Sequence, residues 1–157
     1  MTSTTRISLA EGTELIRDTL TAAGATIEAS TSVADALIAA EAEGQVGHGF
    51  SRLGDYVAQL RSGKINPNAG IRTMSQYAAS ILIDADCGFA YPALDAARSA
   101  VIPVAEDLGI AIVGITNSHH CGALSVQVDR IARAGLIGLM VANAPKAIAP
   151  WGAHEPL

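Results

Sequence analysis

The chain has 157 residues, half of them hydrophobic and few aromatic, with a net charge of −5. That length supports one domain with a packed core, and the bias toward small residues suits close helix–sheet packing rather than a bulky β-sandwich. An acidic balance without a basic run leaves no electrostatic footprint for nucleic acid or an anionic membrane surface.

The first residues, Met1 to Arg6, lack the apolar core of a signal peptide. Ser8 and Glu11 form a capping-box pattern, so a helix is expected from there, with Leu15, Ile16, Leu20 and Ala23 inward and Gly24 as its stop. A second helix is expected from Thr31 or Ser32, with Val33, Leu37 and Ala40 on one face and Gly44 weakening its end. A third carries Leu53, Tyr56, Val57 and Leu60 and stops at Gly63. If that helix starts early, His48, Arg52 and Tyr56 fall at i, i+4 and i+8 on one polar stripe. The glycines flanking His48 offer the alternative of a preceding turn.

Asn66-Pro67-Asn68 marks a turn. From Arg72 to Asp86 the alternation of Ala79, Ile81 and Ile83 predicts a strand. Tyr91 to Gly109 reads as a long alanine-rich helix that Pro103 should kink or split. Ile110 to Thr116 is a β-branched strand ending in Asn117-Ser118-His119-His120-Cys121-Gly122. A helix follows from Gly122 to Ala134, then a wholly apolar run, Leu136 to Ala142, that reads as a strand buried on both faces. The remainder to Leu157 is irregular, with Pro145, Pro150 and a lone Trp151. Helices first, then alternating strands and helices, predict an α/β fold: an N-terminal helical segment over residues 1–66, and the first part of an α/β domain over 67–157.

Cys87 and Cys121 are too few for a disulfide framework and read as free thiols in a reducing cytoplasm. No apolar segment is long enough to cross a bilayer. Neither G-x-G-x-x-G after a strand nor a P-loop is present, so a standard Rossmann phosphate loop is absent. His119, His120 and Cys121 are adjacent, and neighbours on an extended backbone point apart, so no metal is expected there. Ser118 lacks the G-x-S-x-G elbow of a hydrolase. His120, expected beside a helix N-terminus, suits general acid/base work because that terminus disfavours an imidazolium; a structural histidine bonded to a strand-end carbonyl is the other reading. His48 with Arg52 is suitable equipment for holding a carboxylate beside a proton donor, against a plain solvated helix face.

Three segments together resemble the malate/L-lactate dehydrogenase type 2 family. They are His48-Gly49-x-x-Arg52-Leu53-x-x-Tyr56 with Leu60-x-x-Gly63-x-Ile65-x-Pro67; Asn117 through Leu124; and Gly135-Leu136-Ile137-Gly138 through Asn143 to Ala149-Pro150-Trp151-Gly152. The resemblance implies an NAD(P)-dependent oxidoreductase that interconverts 2-oxo and 2-hydroxy acids of the malate/lactate type. Reduction of cyclic 2-imino acids (piperideine- or pyrroline-2-carboxylate) is the alternative within the family. A non-catalytic association module is the alternative of another class. It implies a mixed sheet that is not a Rossmann fold, NAD or NADP as cofactor, and a cytoplasmic homodimer. His48 and His120 fall on the family's active-site histidines, and Arg52 on its carboxylate-binding position. Tyr56 is expected at the substrate, and His120, Gly122, Pro150 and Gly152 at the cofactor. Ser125-Val126-Gln127 stands where many members show Gly-Tyr-Tyr, and the segment after Gly152 lacks a second glycine; both are closer to the imino acid reductases. Family chains are longer and continue past Pro156-Leu157 with Phe-Gly-Thr-Asn-Pro, so this chain is expected to be the N-terminal part of such a protein.

Overall fold

The computed structural model describes residues 6–144, 149 and 151–155. Two antiparallel-packed helices open the chain, α1 (Leu9–Ala22) and α2 (Ile27–Ala42). The capping box at Ser8 forms as the sequence predicts: the Glu11 amide donates to the Ser8 hydroxyl, and the Ser8 amide donates to the Glu11 carboxylate at 2.7 Å. The start of α2 lies upstream of the expected Thr31 or Ser32. Thr26 caps it by accepting from the Ala29 amide, while Thr31 bonds back to the Ile27 carbonyl and Ser32 reaches across to Asp95. Both are mid-helix hydroxyls rather than caps.

Two 3-10 turns, Val46–His48 and Phe50–Arg52, lead into α3 (Leu53–Arg61). The strand expected over Arg72–Asp86 is instead a hairpin, β1 (Arg72–Tyr77) and β2 (Ser80–Asp84). Its turn passes through Ala78 at φ 47, a left-handed alanine that gives no glycine or asparagine signal in the sequence. Next come α4 (Ala90–Leu108), β3 (Ile112–Thr116) and α5 (Leu124–Arg133). Pro103 does not split α4; the helix is continuous through it. The sheet order is β1-β2-β3, antiparallel at the first pairing and parallel at the second, with α4 as the crossover. This is a mixed open sheet, as expected, and not a Rossmann arrangement.

α4 covers one face of the sheet. Ile81 and Ile83 point into it against Ala93 and Ala97, small residues that let helix and sheet approach closely. The larger core joins α1, α2, α3 and α4 through Ile16, Leu20, Val33, Leu37, Tyr56 and Leu94. On the opposite sheet face, Leu82 and Ile112 are exposed. The apolar run from Leu136 to Ala142 is not a strand in the structure. No ladder pairs with it among the described residues, and Ile137, Leu139 and Val141 stand in solvent while Met140 alone packs against the core. Apolar pattern specifies a strand only where a neighbouring strand takes up its backbone groups. Among the described residues, no helix is long and apolar enough to cross a membrane.

Candidate active site

The site begins at the end of α2. The Glu41 side chain folds over Gly49 and accepts the Phe50 amide at 2.9 Å. It fills the space that a β-carbon on Gly49 would need, so a larger residue there would have to displace the Glu41 carboxylate. This contact breaks the chain into two short turns. His48 therefore sits on a turn, the second of the two placements the sequence allows, and the continuous i, i+4, i+8 stripe does not form. Arg52 closes the bend by donating from Nε to the Gly47 carbonyl at 2.6 Å, with Asp55 3.6 Å from Nη1. The rest of its guanidinium keeps donors to offer.

The opposing wall comes from the ends of β2 and β3. Asp84 accepts from Arg72 at 2.8 Å, from Asn117 at 3.0 Å and from the Asp86 amide at 2.9 Å. These bonds hold its carboxyl down to about 2, the Arg72 contact contributing most. They also fix Asn117, which turns the chain at φ 51. The His119 amide then donates to the Gly88 carbonyl at 3.2 Å. The His119 ring meets Tyr56 edge-on, and its Nδ1 is buried without a hydrogen-bond partner among the described residues.

His120 turns toward His48. Their rings lie nearly parallel, 13° apart in plane, with centroids 5.8 Å apart. Two histidines separated by seventy-two positions (120 − 48) in the sequence are thus brought ring against ring within a single chain. Burial lowers the His120 pKa, and the positive charge of Arg52 and the neighbouring His48 and His119 lower it further. The cause differs from the one expected. α5 starts only at Leu124, past the loop, so burial and the charge of Arg52, rather than a helix terminus, shift His120 toward the neutral form. Cys121 is half-buried and its thiol is pushed up by burial, which holds it protonated. Both cysteines are free thiols.

Tyr56, expected at the substrate, is 1% exposed, and its hydroxyl lies 2.8 Å from His120 Nδ1 and 2.9 Å from the Tyr91 hydroxyl. Gly122 is likewise accounted for by packing: at φ +69, its α-carbon faces the Tyr91 hydroxyl, and a β-carbon would collide with it. Gly152 is exposed with open space around it, and Pro150 lies outside the described residues. Sequence reasoning missed Glu41 and Tyr91. Tyr91 had one usable signal: it opens an alanine-rich helix two residues after Phe89, in a chain with few aromatics.

The malate/L-lactate dehydrogenase family profile matches residues 7–157. The chain belongs to that family. It is 42% identical over 152 residues to a (2R)-3-sulfolactate dehydrogenase (NADP(+)) of Chromohalobacter salexigens, covering 96% of this chain and 45% of the relative. It is 34% identical over 154 residues to a Delta(1)-pyrroline-2-carboxylate/Delta(1)-piperideine-2-carboxylate reductase of Pseudomonas syringae pv. tomato, covering 98% of this chain and 45% of that protein. The crystal structure of delta1-piperideine-2-carboxylate reductase from the same pathovar superposes with a TM-score of 0.80 at 34% identity, over 84% of this chain and 40% of that one. The malate dehydrogenase of Pyrococcus horikoshii OT3 superposes with a TM-score of 0.78 at 31% identity, over 83% of this chain and 38% of that one. The chain thus spans less than half the length of these relatives.

Proposed function

We propose that this chain supplies the proton-handling and carboxylate-binding side of an NAD(P)-dependent oxidoreductase acting at C2 of a 2-oxo or 2-imino acid. The observation that carries this reading is the His48–His120 pair in one cleft with Arg52 beside it. Arg52 holds the substrate carboxylate with its remaining donors. The two histidines hold and deliver the proton that C2 oxygen or nitrogen takes up on reduction.

The donor set fits a nicotinamide. His48, His120 and Arg52 can move a proton or bind an anion, but none can give up a hydride, so the electron pair must come from a bound group. When bound, NADH or NADPH supplies that hydride to C2. On this chain, His120, which is exposed, and Gly152, which has open space around it, would lie against such a cofactor. Gly122 and Pro150 remain cofactor positions by family likeness alone.

For the substrate, the cyclic 2-imino acid reading is favoured by the fold likeness to the piperideine-2-carboxylate reductase and by Ser125-Val126-Gln127. The Ser125 hydroxyl accepts from Gln45 at 2.7 Å, tying the start of α5 to the turn that carries His48. A 2-hydroxy acid with a second anionic group is the other reading, supported by the 42% identity to a sulfolactate dehydrogenase. The reading includes a cytoplasmic homodimer, carried over from the family. The test is steady-state oxidation of NADH and NADPH with piperideine-2-carboxylate, 3-sulfopyruvate, oxaloacetate and pyruvate, on the wild-type protein and Arg52→Lys. Turnover of one class is expected, with kcat/KM lowered in the variant by roughly 2–4 kcal/mol, the scale of a desolvated charge contact. An Arg52→Lys protein with unchanged kcat/KM would contradict the carboxylate role.

A further inference from the structure

Behind His120 lie two phenols, Tyr56 from α3 and Tyr91 from the first turn of α4, 1% and 2% exposed. Their hydroxyls make a chain that ends on the imidazole: Tyr91 to Tyr56 at 2.9 Å, and Tyr56 to His120 Nδ1 at 2.8 Å. Each phenol has one hydrogen to give. Among the described residues, Tyr91 has no hydrogen-bond partner other than Tyr56. The direction of the chain follows from that count. Were Nδ1 to carry the hydrogen, it would donate to Tyr56, Tyr56 would donate to Tyr91, and the Tyr91 hydrogen would be buried with no acceptor. In the reverse direction Tyr91 donates to Tyr56, Tyr56 donates to a bare Nδ1, and every buried donor is used.

We propose that the Tyr91–Tyr56 hydroxyl pair is a positioning device that fixes His120 as its Nε2–H tautomer, so that the ring presents an N–H to the open side of the site. Gly122 belongs to the same device, because only a residue without a β-carbon leaves room for the Tyr91 hydroxyl. His120 itself is an exposed residue, and its Nε2 makes no hydrogen bond among the described residues. The groups that face it are Arg52, His48, His119, Cys121 and the two phenols; the cationic ones, with burial, favour the neutral ring. Tyr56 is held as a neutral phenol, pushed up by burial to about 12, so it serves as a fixed donor and not as a proton source. The catalytic meaning rests on the oxidoreductase reading above: an Nε2–H group recognises an acceptor at C2, a carbonyl oxygen or an unprotonated imine nitrogen, and orients it toward hydride.

The test is nitrogen NMR of the purified protein labelled with 15N-histidine, near neutral pH. Wild-type His120 is expected to show a bare Nδ1 and a protonated Nε2. Tyr56→Phe should bring in the other tautomer, moving Nδ1 toward the protonated range while His48 stays put. Tyr91→Phe should keep the Nε2–H form, because Tyr56 then has Nδ1 as its one acceptor. A wild-type ring protonated at Nδ1, an unchanged ring in Tyr56→Phe, or a switched ring in Tyr91→Phe would each overturn the proposal. If Tyr56→Phe does not fold, the wild-type spectrum decides by itself. Turnover is read separately: in an active protein, Tyr56→Phe should lower kcat more than it changes KM. A protein with the expected tautomer and no turnover with any tested acid would contradict the oxidoreductase reading and leave the tautomer assignment standing.

Discussion

At the scale of single residues, the cleft is made by side chains whose partners fix them before any ligand arrives. Asp84 is the clearest case, since one buried carboxylate collects Arg72, Asn117 and the Asp86 amide and so sets the turn that leads to His119 and His120. Its pKa is depressed from the ordinary 3.8 to about 2 in the folded chain. A depressed carboxyl adds stability that is fully present above its unfolded value and is lost as pH falls toward the folded one. Wild-type protein should therefore lose thermal stability steeply between about pH 4 and 2. Asp84→Asn should be less stable at neutral pH and flatter across that window in melts recorded at successive pH values; parallel curves would contradict this role. These partners were only partly legible in the sequence. His48, Arg52 and His120 were singled out by residue type and spacing with a structural reading left open beside each, and it was the family resemblance that joined them into one expected site. Glu41, Tyr56 and Tyr91 act through contacts between distant segments, and a contact such as Glu41 on Gly49 leaves no periodic trace.

At the scale of elements, local signals worked where a cap or a period sets the structure. Ser8 and Glu11 announced α1, and the spacing of Leu53, Tyr56, Val57 and Leu60 announced α3. They failed where a tertiary partner decides. Ser32 has the composition of a cap, yet its hydroxyl serves Asp95, and the true cap of α2 is Thr26. The hairpin at Ala78 turns without a turn residue because the β1–β2 ladder on both sides holds it. Asp95 also accepts from Arg98 at 2.9 Å and Arg130 at 3.1 Å, so one carboxylate on α4 fastens α2 and α5. All three charged side chains are partly exposed, which moderates the gain. Asp95→Ala should cost about 1–3 kcal/mol, chiefly by leaving Ser32 and two arginines without an acceptor. Urea unfolding checks it, and an unchanged midpoint would show that α5 is held by its apolar face alone.

At the scale of the whole molecule, the fold brings two walls together: helices and turns carry His48 and Arg52, and the ends of a mixed sheet carry His120. α4 joins them, since it covers the sheet with Ala93 and Ala97 and supplies Tyr91 to the site. The α/β class was legible from the order of patterns, and the mixed sheet only through the family resemblance; the run from Leu136 to Ala142 was not legible, because strand formation depends on a neighbour that no local pattern encodes. That run leaves Ile137, Leu139 and Val141 exposed, as Leu82 and Ile112 are on the sheet face that α4 does not cover. On the proposed reading, one site receives a substrate carboxylate on Arg52 and its C2 atom between the two histidines. The most direct measurement is a crystal structure of the protein with NADPH and a non-reducible carboxylate analogue of a cyclic imino acid or a 2-oxo acid. The account predicts the carboxylate on the Arg52 guanidinium and the C2 substituent within hydrogen-bonding distance of His48 or His120. An analogue bound away from Arg52, or a pair of histidines both turned from it, would contradict the account.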